Sequence, residues 1–467
     1  MNASTRPGKP HVVVVGAGMA GLAAVRALSR APVTVQLIDT HNYTTFPPLL
    51  FQVATCFISP AEVARPIRAL LRRTPAATFR MGRVAGVDWP GLRVLLDDGG
   101  AVGFDYLVLA PGVVPAFAGV PGAAAHAIPL KQVTDATELR NRLLRSFETA
   151  AAHPGTAARG DTSIAVVGGG PAGAELSGYI ANFLFHYQFE ADYPQIDPAA
   201  MRVTLLERGD RLLPGFHPAL SSYALTTLRS RGVDVRLGTE VVEVDSDGVT
   251  ISGGERIPAA TVVWAGGVDA PAWVKALGLP IQHGRVKVGA DLRVPGHPTT
   301  FAAGDLAAVP ATGTGALRPQ LAQVALQTGR HAGRQIRRLT AGQPTTAFSY
   351  FDKGMMAITG RNAAIVQTGR LRLTGRLAWI TWGLLHLTYL PGVVNRMTTG
   401  LKYLWWHLSH ENTNRVLIEP EPATPPSPAP PVGIAGSALT PQGRTVRPVP
   451  TAGRPISTAG RDVGAST

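Results

Sequence analysis

The apolar positions along this chain fall into two matching cycles. Residues 12–15 are an unbroken valine run, followed by Gly16-Ala17-Gly18-Met19-Ala20-Gly21 and a stretch of helical spacing. Residues 164–167 are a second apolar run, followed by Gly168-Gly169-Gly170-Pro171-Ala172-Gly173 and another helical stretch. Continuous apolar runs, rather than alternating ones, predict strands buried on both faces, as in a parallel sheet. Each cycle closes with a further apolar strand and an acid: residues 33–38 then Asp39, and residues 203–206 then Glu207.

The spacing of the glycines has a physical meaning. The first permits a tight turn, the second lets a pyrophosphate approach the backbone, and the third lets the helix lie close against the strand. The helix start offers free N–H groups to the anion, and the terminal acid accepts hydrogen bonds from a ribose 2′-hydroxyl. One such turn is weak evidence in a chain with 52 glycines. Two turns, each framed by strand, helix and acid, imply two bound dinucleotides. The predicted fold is α/β, with two Rossmann-like domains and a C-terminal helical segment on a membrane surface.

Later strands refine this. Residues 105–109 lead into Ala110-Pro111-Gly112, a small-residue turn suited to close approach of a cofactor. Residues 261–265 end at Gly266-Gly267. Short strands at 286–288 and 300–305 are expected to return to the first unit, and a helix is predicted over 320–339. Gly304-Asp305 stands near the entry to that helix. The pattern leaves Asp305 open between an acceptor for cofactor hydroxyls and an ordinary helix cap.

The last ordered stretch differs. From Lys353 to His410 there are seven basic residues (Lys353, Arg361, Arg370, Arg372, Arg376, Arg396, Lys402) and no acid, half of the net charge of +14. Four of the seven tryptophans lie there: Trp379, Trp382, Trp405 and Trp406. Pro391-Gly392 divides an aromatic, leucine-rich stretch into two helices, each shorter than the roughly 20 apolar residues of a membrane span. Residues 376–410 therefore suit an anionic membrane surface, against the plainer possibility of a packed or dimer-forming hairpin. Nucleic acid fits poorly, because no reading module accompanies the charge. From 419 onward the chain is Pro-, Gly- and Ser-rich and is expected to be disordered.

One cysteine, Cys56, excludes an intramolecular disulfide, a CxxC redox pair and a cysteine zinc site; no metal site is predicted. Cys56 itself reads as a buried core residue. Residues 1–10 are short, polar and basic, without an apolar signal core, so a cytoplasmic location is expected.

Residues 10–418 resemble the type II NADH dehydrogenases, single-chain non-pumping NADH:quinone oxidoreductases on the disulfide-reductase-like flavoprotein fold. The likeness is carried by residues 46–55 (FPPLLFQVAT), the second glycine turn with Glu175, residues 291–305, and Ala322-Gln323-Val324-Ala325-Leu326-Gln327, which matches an AQxAxQ pattern. The block 348–361 and the later Trp382, His386, Gly392, Asn395, Arg396 and Trp406 extend it. The glycine motifs specify only the superfamily; AQxAxQ and the C-terminal block are more specific. The turn at 110–112 departs from the family in carrying Pro111 where threonine is common, and the Pro-rich tail goes beyond the family's usual end.

The resemblance implies non-covalent FAD in the first unit, held by Gly16, Gly18, Gly21, Asp39, Ala110, Gly112, Gly304, Asp305 and Ala322. It implies NADH in the second, held by Gly168, Gly170, Gly173, Glu207 and Gly266. Glu207 repels a 2′-phosphate and so favours NADH, although Arg208 beside it would suit NADPH. Glu175 is assigned to the nicotinamide carboxamide or to proton relay, against a buried helix-start acid. Gln323 and Gln327, four apart on one helical face, are candidates to hydrogen-bond a quinone carbonyl. Lys353 is assigned either to the flavin or to lipid phosphate, and His386 reads as packed or interfacial.

The expected domains are 10–115 and 281–345 for FAD, 116–280 for NADH, 346–418 for membrane association and 419–467 for the tail. A homodimer on the cytoplasmic face of the membrane is expected, with membrane quinone as electron acceptor. Two other functions share the nucleotide sites: a soluble NAD(P)H reductase of a small electron carrier, and a nucleotide-sensing flavoprotein. A sulfide:quinone oxidoreductase needs a cysteine pair that this chain lacks.

Overall fold

Both apolar cycles become the parallel strands of central sheets in the computed structural model, which describes residues 8–153, 162–184, 187–197, 201–311, 313, 315–409 and 414–417. The segment 419–467 lies outside the described residues.

The first sheet has six strands, in the order Arg293–Val294, His297–Ala302, Tyr106–Leu109, His11–Val15, Thr34–Asp39, Ala77–Met81. His11–Val15 lies centrally and pairs in parallel with Thr34–Asp39 on one side and Tyr106–Leu109 on the other. Val12, Val13 and Val14 are fully buried, as a continuous apolar run between helical layers requires. The strand His297–Ala302 returns to this sheet beside Tyr106–Leu109, and Ala303, just before Gly304-Asp305, donates its amide to the Leu109 carbonyl. Arg285–Lys287 does not join it. That strand pairs with Ile281–Gln282 and Ala307–Ala308 in a small separate sheet.

The second sheet has five strands, all parallel: Ala127–Pro129, Thr261–Trp264, Ile164–Val167, Val203–Leu206 and Val233–Arg236. Three-stranded antiparallel sheets are appended to each unit, at Val84–Gly103 and Val241–Pro258.

The helix Ala322–Thr340 packs along Met19–Leu28, the helix that follows the first glycine turn. The approach is close because Gly329 and Gly333 face backbone. A Cβ at Gly329 would overlap the Ala20 carbonyl, and one at Gly333 would stand 2.6 Å from that of Ala24. The helix after the second turn, Pro171–Leu184, is covered instead by the strand Met355–Gly360, where a Cβ at Gly178 would overlap the Thr359 carbonyl.

Two C-terminal helices follow, Gly375–Tyr389 and Val393–Ser409, with the break at the Pro-Gly pair. Among the described residues no helix is long and apolar enough to cross a membrane. Leu377, Leu384, Val393, Val394, Met397, Leu401, Leu404 and Trp405 are exposed. Trp382 corrects the sequence expectation that the tryptophans here are interfacial: it is 2 % exposed, near Phe51 and stacked on His386 with ring centroids 4.0 Å apart. Asn395 anchors the last helix, its amide donating to the carbonyls of Ala61 (2.9 Å) and Glu62 (2.8 Å).

Candidate functional site

The first turn is built as its glycines require. Gly16 has φ +97, and a Cβ there would overlap the Ala110 carbonyl. At Gly21 a Cβ would overlap the carbonyl of Gly16, so this glycine sets the helix against the turn. At Gly18, the residue capping Met19–Leu28, no atom lies within 4 Å of a Cβ position. Gly112, at φ +77, is equally open. Asp39 accepts the amide of Ala17 at 2.6 Å and that of His41 at 2.9 Å, which ties the acid to the turn.

Gly304 (φ +72) sits between the two packed helices, where a Cβ would stand 2.9 Å from that of Ala20. Its amide donates to Thr328 Oγ1 at 3.0 Å, on the helix that Ala322 begins. Asp305 follows. Desolvation raises its pKa, against the opposing pull of Lys131, 3.9 Å away, and of Arg285. These residues fit a flavin dinucleotide. Open space at Gly18 and Gly112, amides at a helix start, and an enclosed carboxylate flank the same strand ends.

The second turn repeats the first. Gly168 has φ +110, a Cβ at Gly173 would overlap the Gly168 carbonyl, and Gly170 is open within 4 Å. Glu207 accepts the amide of Gly169 at 2.5 Å and that of Gly209 at 2.6 Å. Arg208 faces Glu240 instead, at 3.7 Å. Gly266 lies over the Trp264 indole, where a Cβ would stand 3.1 Å from the ring.

Glu175, on the helix of this second turn, is buried and accepts the amide of Ile358 at 3.2 Å. Desolvation raises its pKa to about 8, against that hydrogen bond and the nearby Trp382 indole, which lower it. One turn along, Tyr179 stands at the start of a buried polar chain that the sequence reading missed. Gln52 Nε2 donates to Tyr179 Oη at 3.4 Å, and Tyr403 Oη donates to Gln52 Oε1 at 2.8 Å. Burial pushes both phenols above their usual range. A polar Gln52 inside the run Leu49–Ala54 was the available signal; its partners lie 127 and 351 residues away.

Gln323 and Gln327 share one face, as expected, but their amides are already engaged. Gln327 Oε1 accepts the Phe351 amide at 3.0 Å, and Gln327 Nε2 donates to the Phe351 carbonyl at 2.8 Å. Gln323 Oε1 accepts the Lys353 amide at 3.1 Å, and Gln323 Nε2 donates to the Gly354 carbonyl at 2.7 Å. Lys353 Nζ donates to Tyr389 Oη at 2.8 Å. His386 is a packed residue: Nδ1 bonds the Trp382 carbonyl at 2.7 Å, and burial drives its pKa down to about 4. Cys56 is buried, with burial pushing its thiol up to about 12, so it is chemically quiet. Among the described residues no cluster could hold a metal ion.

The model of the pyridine nucleotide-disulphide oxidoreductase family matches residues 10–329. The chain is 34% identical over 425 residues to the type II NADH:quinone oxidoreductase Ndh of Mycobacterium tuberculosis (strain ATCC 25618 / H37Rv), covering 88% of this chain and 90% of that protein. It is 37% identical over 408 residues to NdhA of the same organism, covering 84% and 85%. The solved structure of NDH2 from Plasmodium falciparum in complex with NADH has the same fold. Its TM-score is 0.78 at 18% identity, over 88% of this chain and 100% of that one.

Proposed function

This chain belongs to the type II NADH:quinone oxidoreductases, and we propose that it oxidises NADH through non-covalent FAD and reduces a membrane quinone by two electrons without pumping protons. FAD, when bound, would supply the hydride acceptor for NADH and the two-electron donor for quinone, so no protein nucleophile is required.

The observation that supports this best is one continuous segment. Residues 351–354 are held by Gln323 and Gln327, and the following strand Met355–Gly360 lies against the helix that carries Glu175. On this reading ten consecutive residues, 351–360, join the donor end of the reaction to the acceptor end. Gly16, Gly18, Gly21, Asp39, Ala110, Gly112, Gly304, Asp305 and Ala322 hold FAD. Gly168, Gly170, Gly173, Glu207 and Gly266 hold NADH, and Glu207 rejects a 2′-phosphate by charge. Glu175, with its pKa near neutral pH, holds the nicotinamide carboxamide or carries a proton beside it. Gln323, Gln327 and Lys353 serve the quinone end.

The exposed apolar residues of the two C-terminal helices, together with Arg370, Arg372, Arg376 and Arg396, suit the cytoplasmic face of the cell membrane. A second copy of the chain is the expected partner. On this reading 10–115 and 281–345 serve FAD, 116–280 serves NADH, and 346–418 serves the membrane.

Steady-state oxidation of NADH and NADPH with a short-chain quinone tests the activity. Turnover with NADH exceeding that with NADPH by about tenfold or more is expected, and equal turnover would remove the role of Glu207. Sedimentation with anionic vesicles tests attachment. Leu384→Ser with Met397→Ser should release the protein, and undiminished pelleting would place the anchor elsewhere.

A further inference from the structure

We infer that Gln323 and Gln327 are positioning residues: they clamp the backbone of residues 351–354 and thereby present the Lys353 ammonium, held by Tyr389, to a quinone carbonyl oxygen. The inference rests on the quinone reductase reading above.

The clamp has two rungs. Gln327 bonds both the amide and the carbonyl of Phe351, at 3.0 and 2.8 Å. Gln323 bonds the amide of Lys353 and the carbonyl of Gly354, at 3.1 and 2.7 Å. In each, the oxygen meets an N–H and the nitrogen meets a C=O, so the partners fix which way the amide points. The clamped segment lies outside every helix and strand, so no ladder fixes its backbone and the two side-chain amides supply that restraint.

A second set of contacts fixes where the clamp places the segment. The helix bearing the glutamines is seated on the first-turn helix through Gly329 and Gly333, so its position relative to the flavin dinucleotide is set by backbone contact. Gly354 has φ +87, and a Cβ there would overlap the Gln367 carbonyl of the neighbouring strand. The chain must therefore turn at Gly354 into Met355–Gly360. Asp352 Oδ1 accepts the Gly354 amide at 2.8 Å and tightens the same turn.

This arrangement leaves Phe351 71% exposed and Lys353 exposed two residues on. Lys353 Nζ reaches Tyr389 Oη at 2.8 Å, at the end of the helix Gly375–Tyr389. Tyr389 can take only one of its three N–H donors, and the other two remain for a carbonyl oxygen. A flexible lysine on an unclamped loop would lose this aim, because ordering its backbone and side chain costs entropy that the two amide rungs have already offset.

The test is a double-mutant cycle on full-length, FAD-loaded protein in vesicle-free solution, with a short-chain benzoquinone as acceptor. Lys353→Met should raise the quinone KM about tenfold with a smaller change in kcat, as loss of a charge-assisted hydrogen bond predicts. Gln323→Ala should raise it comparably, and Gln323→Ala with Lys353→Met should be no worse than either alone. Tyr389→Phe should raise KM in the unaltered protein and have no effect beside Lys353→Met. Hydrogen–deuterium exchange of the Phe351 and Lys353 amides should quicken about tenfold in Gln327→Ala and Gln323→Ala respectively, as for backbone amides that lose their acceptors.

Multiplying KM effects with unchanged exchange would show that the glutamines bind quinone directly, and would overturn the inference. Lys353→Met that leaves KM unchanged would also overturn the inference, and weaker pelleting of that variant in a separate sedimentation with anionic vesicles would assign the cation to lipid phosphate. Absence of quinone turnover in the unaltered protein would overturn the function on which the inference rests, while the exchange measurement judges the clamp alone.

Discussion

At the first glycine turn Asp39 accepts the amide of Ala17 at 2.6 Å; at the second, Glu207 accepts the amide of Gly169 at 2.5 Å. Gly16 and Gly168 take φ +97 and +110, and each donates its amide at 2.8 Å to the carbonyl of the residue before the terminal acid, Ile38 and Leu206 respectively. Gly18 and Gly170 are both open where a Cβ would stand. The two sites differ in what lies across their helices. The first is covered by the glutamine-bearing helix Ala322–Thr340, the second by the strand Met355–Gly360. The repeat thus carries the dinucleotide-binding geometry, and the covers are what distinguish the two units: one carries Gln323 and Gln327, and the other touches Glu175.

The repeat is broken most severely at its third glycines. Gly21→Val and Gly173→Val each drive a side chain into a backbone carbonyl, and should cost about 4 kcal/mol or more of stability. Thermal unfolding and soluble yield would register this, and a wild-type Tm in either would show that the helix can move aside. Next come the open glycines, which separate the sites. Gly18→Val should fold but emerge colourless. Gly170→Val should stay yellow while its NADH KM rises at least about tenfold, as loss of close phosphate contact predicts. Absorption spectra and NADH titrations decide between these, and loss of flavin from both would show that the sites are not independent.

How far these units were readable from the sequence follows from what holds them. Glycine turns, buried valine strands and terminal acids depend on local backbone geometry, so residues 12–39 and 164–207 announce themselves. The covers depend on distant contacts. Nothing near Gln323 in the sequence says that its amide is engaged by Lys353 and Gly354 rather than free for quinone. Trp382 was legible as a membrane-segment aromatic but is buried against His386, because helical periodicity does not say which neighbour covers a face. The chain Tyr179–Gln52–Tyr403 joins three segments whose proximity only the tertiary fold creates.

Glu175 offers a difference between the units that pH can expose, since the first turn has alanine, Ala23, at the matching position. Its carboxyl has a pKa near 8 folded against about 4.5 unfolded, so the folded state binds the proton more tightly. Stability from this group is full below the unfolded value and is lost as pH rises through the folded value. The ligand-free protein should therefore lose stability between about pH 5 and 8, and Glu175→Gln should flatten that slope. Parallel slopes for the two proteins would mean that Glu175 is ionised in place.

The smallest expected effect is at Glu207. Glu207→Ala should raise the NADH KM and reduce the preference for NADH over NADPH by about tenfold. It should also cost about 1 kcal/mol, because the amides of Gly169 and Gly209 lose their acceptor. Unchanged cofactor preference with lowered stability would leave Glu207 a purely structural acid.

One flavin should be filled by NADH and emptied by quinone. Anaerobic stopped-flow mixing tests it most directly. NADH should bleach the flavin absorbance in a single fast phase, and a short-chain quinone added in a second mix should restore it within turnover time. Bleaching by NADH with no return on adding quinone would exclude quinone as the acceptor, and would assign the chain to a reductase of another carrier or to a nucleotide sensor.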